Sequence, residues 1–253
     1  MNSFIPWIGG KKLLRKTIVS YFPDEDEIDR YIEVFGGAAW VLFYKDKHAD
    51  FEIYNDINSN LVNLFRCIKY HYQELQRELN WVLNSREMFD DIRNIEETKG
   101  LTDIQRAARY FTLIKISFGA DRRSYGCSKR SLLNSVSYLS AIHERLDRVI
   151  IENKSYDALL KAYDRPKALF YLDPPYHGTE KYYDDVFTEQ NHVKLRNCLK
   201  KIKGKFLLSY NDDEYIRNLY KSFNIIELSR QKNLTGKTKS PDNIYRELLI
   251  KNF

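Results

Sequence analysis

Apolar positions along this chain alternate between two spacings. Compact runs rich in β-branched and aromatic residues occur at Tyr31-Ile32-Glu33-Val34-Phe35, Phe51-Glu52-Ile53-Tyr54, Val149-Ile150-Ile151-Glu152 and Ala168-Leu169-Phe170-Tyr171-Leu172. Three more are Lys205 to Tyr210, Asn224 to Leu228 and Tyr245 to Ile250. Such runs predict about seven strands, the last two forming a hairpin. Helical spacing appears between them. A helix opening across Ile5 to Lys12 carries an apolar face of Leu13, Leu14, Ile18 and Val19. From Asn58 the apolar positions Leu61, Leu64, Phe65, Ile68, Tyr72, Leu75, Leu79 and Leu83 predict one long amphipathic helix. Further helices are predicted from Asp103 to Ser117, from Ser137 to Leu146, and around a face of Val193, Leu195, Leu199 and Ile202. The pattern is β-α alternation interrupted by an all-helical block, which predicts an α/β fold with a helical insertion.

One strand end carries most of the chemistry. The run Ala168 to Leu172 reads as a fully buried strand and stops at Asp173-Pro174-Pro175-Tyr176. Neither proline can donate to a ladder, and each fixes its own φ. The result is a stiff loop at the carboxyl end of a strand, where open α/β sheets bind their ligands. It offers a carboxylate, the Pro174 carbonyl and an aromatic ring. Two acceptors beside a stacking surface suit a planar base with an exocyclic amine. Acceptors on both N–H groups would draw the amine nitrogen toward a nucleophilic geometry, and a methyl sulfonium held in line could then be attacked. A base inside a duplex reaches such a pocket only by flipping out. Read alone, the lesser alternative is a plain strand-ending turn.

A second constellation supports the first. The strand ending at Phe35 runs into Gly36-Gly37-Ala38-Ala39, and the strand after it ends in Asn55-Asp56. A glycine turn after one strand and an acid after the next is nucleotide-binding logic: glycines admit a close ligand and the acid accepts from ribose hydroxyls. Gly9-Gly10-Lys11-Lys12 is no P-loop, because the motif's spacing and hydroxyl residue are absent and no strand precedes it. Tyr182, Tyr183 and Phe187 follow the proline loop and could cover a base or cofactor.

Composition narrows the class. The chain has 253 residues, 43% hydrophobic and 30% charged, enough for a large core without staples. Cys67, Cys127 and Cys198 form no disulfide or zinc spacing, and the five histidines show no metal-ligand spacing. No membrane span or signal pattern is present, so the cytoplasm is the expected compartment. Net charge is +6, concentrated in two places. Lys115, Arg122, Arg123, Lys129 and Arg130 face only Asp121, and Arg230, Lys232, Lys237 and Lys239 stand in an acid-free segment. Two basic loops on a near-neutral body suit a polyanion.

Together these residues resemble the Dam-like DNA adenine methyltransferases, which use S-adenosylmethionine. The resemblance runs nearly end to end. Trp7-Ile8-Gly9-Gly10-Lys11 is similar to the family's W-x-G-G-K element, Glu33 to Ala39 to its F-x-G-x-G turn, and Asp56-Ile57-Asn58 to its D-I-N. Asp173 to Tyr176 matches its D-P-P-Y loop, and Ser209 to Asp212 and Arg246 to Ile250 resemble its later strand ends. The resemblance implies a Rossmann-like seven-stranded methyltransferase sheet from residues 1–57 and 148–253, with a target-recognition domain over 58–147. It implies cofactor contacts from Trp7, Gly10, Lys11, Phe35, Gly36, Gly37, Asp56, Tyr156 and Asp173. The catalytic loop would be Asp173, Pro174, Pro175 and Tyr176, with Tyr176 stacking on the base. Double-stranded DNA would be held by Arg122, Arg123, Tyr125, Lys129, Arg130, Lys232, Lys237 and Lys239. No metal or membrane is expected, and the protein is expected to be a monomer in solution, in a bacterial or phage setting. Two departures stand out. Ala39 replaces the last glycine of F-x-G-x-G and would crowd the cofactor slightly, and the stretch Arg122 to Arg130 does not reproduce the recognition sequence of GATC-specific members.

The expected function is methyl transfer from S-adenosylmethionine to the exocyclic amine of a flipped adenine in DNA. Two rivals share the features: a cytosine N4 methyltransferase, which needs the same acceptors, and an inactive DNA-binding relative.

Overall fold

The computed structural model describes residues 1–93, 99–127, 132–178, 187–231 and 244–253. Seven strands form one sheet: β1 (Arg30–Glu33), β2 (Phe51–Asn55), β3 (Val149–Glu152), β4 (Ala168–Leu172), β5 (Lys205–Asn211), β6 (Asn224–Gln231) and β7 (Ile244–Lys251). Their order is β3-β2-β1-β4-β5-β7-β6. The first five run parallel, and β7 is antiparallel to both β5 and β6, so the predicted final hairpin is present. The Rossmann-like seven-stranded expectation is met.

The order decides where a ligand can sit. Chain leaving β1 turns to β2 on one side, while chain leaving β4 turns to β5 on the other. The crevice between their carboxyl ends is the switch point of the sheet. Register there is tight: Glu33 stands opposite Tyr54 on one side and Tyr171 on the other. Strand β1 ends at Glu33, two residues before the predicted boundary, so Val34 and Phe35 already belong to the glycine turn.

Helices cover both faces. Alternation along β4 sends Leu169 and Tyr171 to one buried cluster and Phe170 and Leu172 to the other, leaving no exposed position in the strand. On the first face lie α2 (Ser59–Tyr70), α3 (Tyr72–Asn80), α5 (Asp103–Ile116) and α7 (Leu139–Leu146), preceded by the short α1 (Arg15–Ser20). On the second lie α8 (Tyr156–Tyr163), α9 (Glu189–Leu199) and α10 (Glu214–Leu219). Two more short helices, α4 (Arg86–Ile92) and α6 (Leu132–Ser137), complete the described set.

The helical block packs directly on the sheet. Phe65 of α2 stacks on Tyr54 of β2 with ring centres 4.0 Å apart. Arg145 of α7 clamps Glu52 of β2 through two hydrogen bonds of 2.7 and 2.8 Å, and both side chains are buried. Beyond that shared core, Phe89, Ile92, Leu113 and Ile116 form a separate small cluster with Tyr125 against it.

Several helical expectations change. Residues 5–12 do not open a helix. Gly9 has φ +76, Gly10 N–H donates back to Trp7, and the helix begins only at Arg15, leaving Leu13 exposed. The long helix from Asn58 is two helices, because His71 leaves helical geometry at φ −135, ψ 35. Asn58 caps the first by accepting from Leu61 N–H at 2.9 Å. Leu83 lies past the second and is exposed. Tyr138 separates α6 from α7 in place of a single run from Ser137. On α9, Val193 faces out, and His192 joins Leu195 and Leu199 on the buried side. Helices α4, α8 and α10 carry too short an apolar pattern to be singled out by spacing.

Candidate active site

The glycine turn after β1 and the proline loop after β4 share one cleft. It is an open cleft, about 1070 Å³ when its mouth and the adjoining solvent are counted. Its walls take Trp7, Gly10, Lys11, Phe35, Gly36, Gly37, Asp56, Asp173 and Pro175 from the expected residues. Phe187, expected to cover a base or cofactor, lines it too, as does Arg122, expected on DNA, and the cleft adds Glu33 and Trp40.

Backbone geometry explains the glycines. Gly37 has φ +48, and a Cβ there would come 2.9 Å from the Trp7 ring. At Gly36 a Cβ would meet the Tyr54 ring at 2.3 Å and the Asn55 carbonyl at 2.8 Å. Asp56 clasps this turn from the next strand end: Gly37 N–H donates to Oδ2 and Asn58 N–H to Oδ1, both at 2.8 Å. Asn55 ties the neighbouring strand ends together, donating to the carbonyls of Val34 and Lys154 and accepting from Lys154 N–H. Ala39 does not wall the cleft, so the expected crowding is not seen. The departure instead places an alanine at φ +55, in the left-handed region that glycine favours.

Charge is concentrated at the back. Lys11 Nζ lies 2.8 Å from Asp173 Oδ1 and 3.7 Å from Glu247 Oε1, and also donates to the Gly9 carbonyl at 3.0 Å. Burial pushes the Asp173 carboxyl up to about 6, against the opposing pull of the Lys11 ammonium. Glu33 is pushed up to about 8 by burial, although Tyr31 hydroxyl and Leu42 N–H both donate to it. Asp173 and Glu247 around the single Lys11 ammonium give the back of the cleft a negative bias, with Glu33 protonated beside them up to about 8, and Trp7, Trp40 and Phe35 supply flat apolar walls. This combination fits a ligand with an aromatic moiety and a cationic tail, such as S-adenosylmethionine.

Tyr176 sits beneath the loop. It is only 8% exposed, its hydroxyl donates to Glu247 at 2.9 Å, and its ring lies between the Lys11 ammonium and Tyr210. Tyr156 flanks the cleft, packing on Phe35 and Phe187 with its hydroxyl toward the Asn191 carbonyl. Pro174 is buried and His177 is held by Asp213 and Asn211.

Of the residues expected on DNA, Arg123 is exposed and Tyr125 is half-buried against Phe89 and Arg86. Arg122 instead leans into the cleft, its guanidinium over the Trp7 ring and hydrogen-bonded to the Tyr110 hydroxyl at 2.7 Å. Lys129, Arg130, Lys232, Lys237 and Lys239, with Tyr182 and Tyr183, lie outside the described residues. No cluster with metal-ligand character occurs among the described residues, and no described helix is long and apolar enough to cross a membrane. The sequence singles out neither Glu33, which it places in a strand and the glycine turn, nor Glu247, which it places in a strand. An acid inside an otherwise apolar strand was the available signal for each.

Comparison with known proteins agrees with this arrangement. Over its full length the chain is 27% identical to Type II methyltransferase M1.LlaDCHI of Lactococcus lactis subsp. cremoris, covering 96% of that protein. It is 25% identical to Type II methyltransferase M.CviBI of Paramecium bursaria Chlorella virus NC1A, over 88% of each chain. It is 26% identical to Type II methyltransferase M.MjaIII of Methanocaldococcus jannaschii, over 100% of this chain and 99% of that one. The profile that matches residues 7–234 is adenine-specific, which decides against the cytosine rival. By that match across most of its length, the chain belongs to the D12 class of N6 adenine-specific DNA methyltransferases.

Proposed function

We propose that Asp173 and the Pro174 carbonyl accept the two N–H groups of a flipped adenine, with S-adenosylmethionine held by the turn after β1. The observation that carries this reading is the shared cleft: Asp173 and Gly37 wall the same space from neighbouring strand ends. When bound, the cofactor supplies an electrophilic methyl group on a cationic sulfur. Trp7, Phe35 and Gly37 would flank its aromatic moiety, and Asp56 would accept from its ribose while continuing to brace the turn. The buried acids would favour its positive charge. Asp173 orients the amine by accepting one N–H and, being anionic, raises the electron density on nitrogen. Phe187 and Pro175 exclude water from the reacting face. For Tyr176 to stack on the base, its ring must come clear of the Lys11 ammonium that now covers it. Stacking of that kind contributes on the order of 1–3 kcal/mol.

Duplex DNA would lie across the basic segments, with residues 58–147 serving target recognition and Arg122 joining that surface to the cofactor cleft. The Type II relatives support a place in a restriction-modification system. A monomer working in the cytoplasm of a bacterium, or encoded by a phage, fits the reading. Replacing Asp173 by Ala tests it: methylation should disappear while DNA binding persists, and retained methylation would refute the assignment.

A further inference from the structure

One atom occupies both contacts that the target base needs. Lys11 Nζ lies 2.8 Å from Asp173 Oδ1, the carboxylate assigned to the amine, and 4.8 Å from the centre of the Tyr176 ring, the face assigned to stacking. An ammonium in that place gives Asp173 what an exocyclic amine would give it, and it covers the ring with positive charge. A base cannot take up either contact until the ammonium leaves.

A second place for the ammonium is built beside the first. Lys11 Nζ stands 3.7 Å from Oε1 of Glu247, an acid on β7 that is 2% exposed, pairs across the sheet with Asn211 and Leu228, and does not wall the cleft. Its Oε1 accepts from the Tyr176 hydroxyl at 2.9 Å, and its Oε2 has no hydrogen-bond partner among the described residues. Sheet pairing uses only the backbone of this position. Burying an acid with an oxygen left over costs stability unless a cation answers it. Lys11 is a cation within reach, on a flexible four-carbon stem. Its ammonium is also tethered to the Gly9 carbonyl at 3.0 Å, so a small turn of the stem carries it between the two carboxylates.

We propose that Lys11 holds the seat of the target amine in the empty protein and withdraws onto Glu247 when the cationic cofactor binds, opening Asp173 and the Tyr176 ring to the base. The proposal rests on Asp173 holding that amine. Electrostatics set the order of events. A sulfonium in the cleft places a second positive charge near the Lys11 ammonium, and like charges repel more strongly the less water lies between them. Asp173 walls the cleft and Glu247 does not, so retreat to Glu247 takes the ammonium away from the new charge. The base then meets an open carboxylate and an uncovered ring. Once the methyl group has left, the sulfur is neutral and the repulsion is gone. Lys11 returns to Asp173 and displaces the methylated base. Lys11 and Glu247 are positioning residues in this scheme, and the exchange makes and breaks no covalent bond.

Two cofactor analogues separate charge from shape. Sinefungin carries an ammonium where the methyl donor has its sulfonium, and S-adenosylhomocysteine has a neutral sulfur. In crystals of the full chain, Lys11 Nζ should sit on Glu247 with sinefungin and on Asp173 with S-adenosylhomocysteine. In solution, a duplex with 2-aminopurine at the methylated adenine, located by sequencing modified DNA, reports flipping by its fluorescence. Sinefungin should raise that signal above the S-adenosylhomocysteine level and tighten duplex binding at least about fivefold more. In Lys11→Met, measured above the acid limb of both proteins, the two analogues should give the same high signal, because no ammonium remains to be moved. In Glu247→Gln both should give the low one, because the rear seat has lost its charge. Equal signals in the wild-type protein, or Nζ on Asp173 in both crystals, would overturn the proposal. So would a difference between analogues that persists in Lys11→Met, or a signal that falls in Lys11→Met with both. If either variant fails to fold or to bind the analogues, the two wild-type measurements decide. Equal wild-type signals with an inactive Asp173→Ala would sink the seat exchange alone, whereas an active Asp173→Ala would sink the reading beneath it.

Discussion

Lys11 and Asp173 meet at 2.8 Å, one from the turn before α1 and the other from the loop after β4, with side chains 6% and 18% exposed. The carboxylate proposed to hold the amine is thus partly neutralised, and its proton affinity is set by a contest between burial and that ammonium. Binding a cationic cofactor nearby adds to the ammonium's side of the contest.

From that contest follows a pH dependence. In the proposed mechanism Asp173 acts as a carboxylate, and its carboxyl stands at about 6. The single-turnover rate at subsaturating ligand should therefore rise with pH through about that value. Lys11→Met removes the group that holds the carboxyl down, so the acid limb should move up by about one unit or more. A limb that stays in place in Lys11→Met would show that the pair is not coupled.

Glu33 should make the protein less stable as pH rises. Its folded carboxyl stands at about 8 against an ordinary 4.5. Between these values the native state holds a proton that the unfolded state has lost, so stability falls as pH increases, by up to ~1.4 kcal/mol per unit. The stabilisation is complete below the ordinary value and gone above the folded one. Glu33→Gln keeps an acceptor for Tyr31 and Leu42 but cannot ionise. Thermal melts of the ligand-free protein should show its advantage over wild type growing with pH until about 8. Parallel melting curves would contradict this.

Gly37→Ala places a methyl 2.9 Å from the Trp7 ring on a backbone at φ +48. Left-handed geometry costs a non-glycine residue ~1–2 kcal/mol. The turn can relieve both problems only by moving away from Asp56, so affinity for S-adenosylhomocysteine should fall at least about tenfold. Calorimetry without DNA measures this directly, and unchanged affinity would argue against the turn as the cofactor site.

Arg145→Met leaves Glu52 buried without its two-point partner and removes donors from the Lys45 and Leu42 carbonyls. Breaking such a pair costs ~3–5 kcal/mol. Chemical denaturation should show that loss, and the double variant Glu52→Gln with Arg145→Met should recover part of it because the stranded charge is gone.

The central strands were legible because a strand buried on both faces admits little but apolar residues, as in Ala168 to Leu172. The cleft was legible because Gly36-Gly37 and Asp173-Pro174-Pro175 have local reasons to be where they are. The helix boundaries were less so. Apolar spacing continues smoothly through His71, and nothing local marks the break; α2 and α3 separate there, each packing on α5. At Trp7 to Lys11 the reverse holds, since local turn geometry overrides a helical spacing that continues only from Arg15. Arg122 was read as one of a basic run and sits instead over Trp7, because a charged residue's direction depends on what the loop folds against.

Local chemistry in the sequence determined the element types, the seven-stranded plan and the pairing of a glycine turn with a proline loop. Those features depend on backbone freedom, apolar period and the missing proline N–H, all carried by neighbouring residues. Tertiary structure alone decided which charges face one another. Lys11, the loop carrying Asp173 and Tyr176, and Glu247 come from three distant parts of the chain, and only the order of β1, β4, β5 and β7 brings them within a few ångströms. Burial then sets their proton affinities, and burial belongs to the assembled sheet and not to any segment of it.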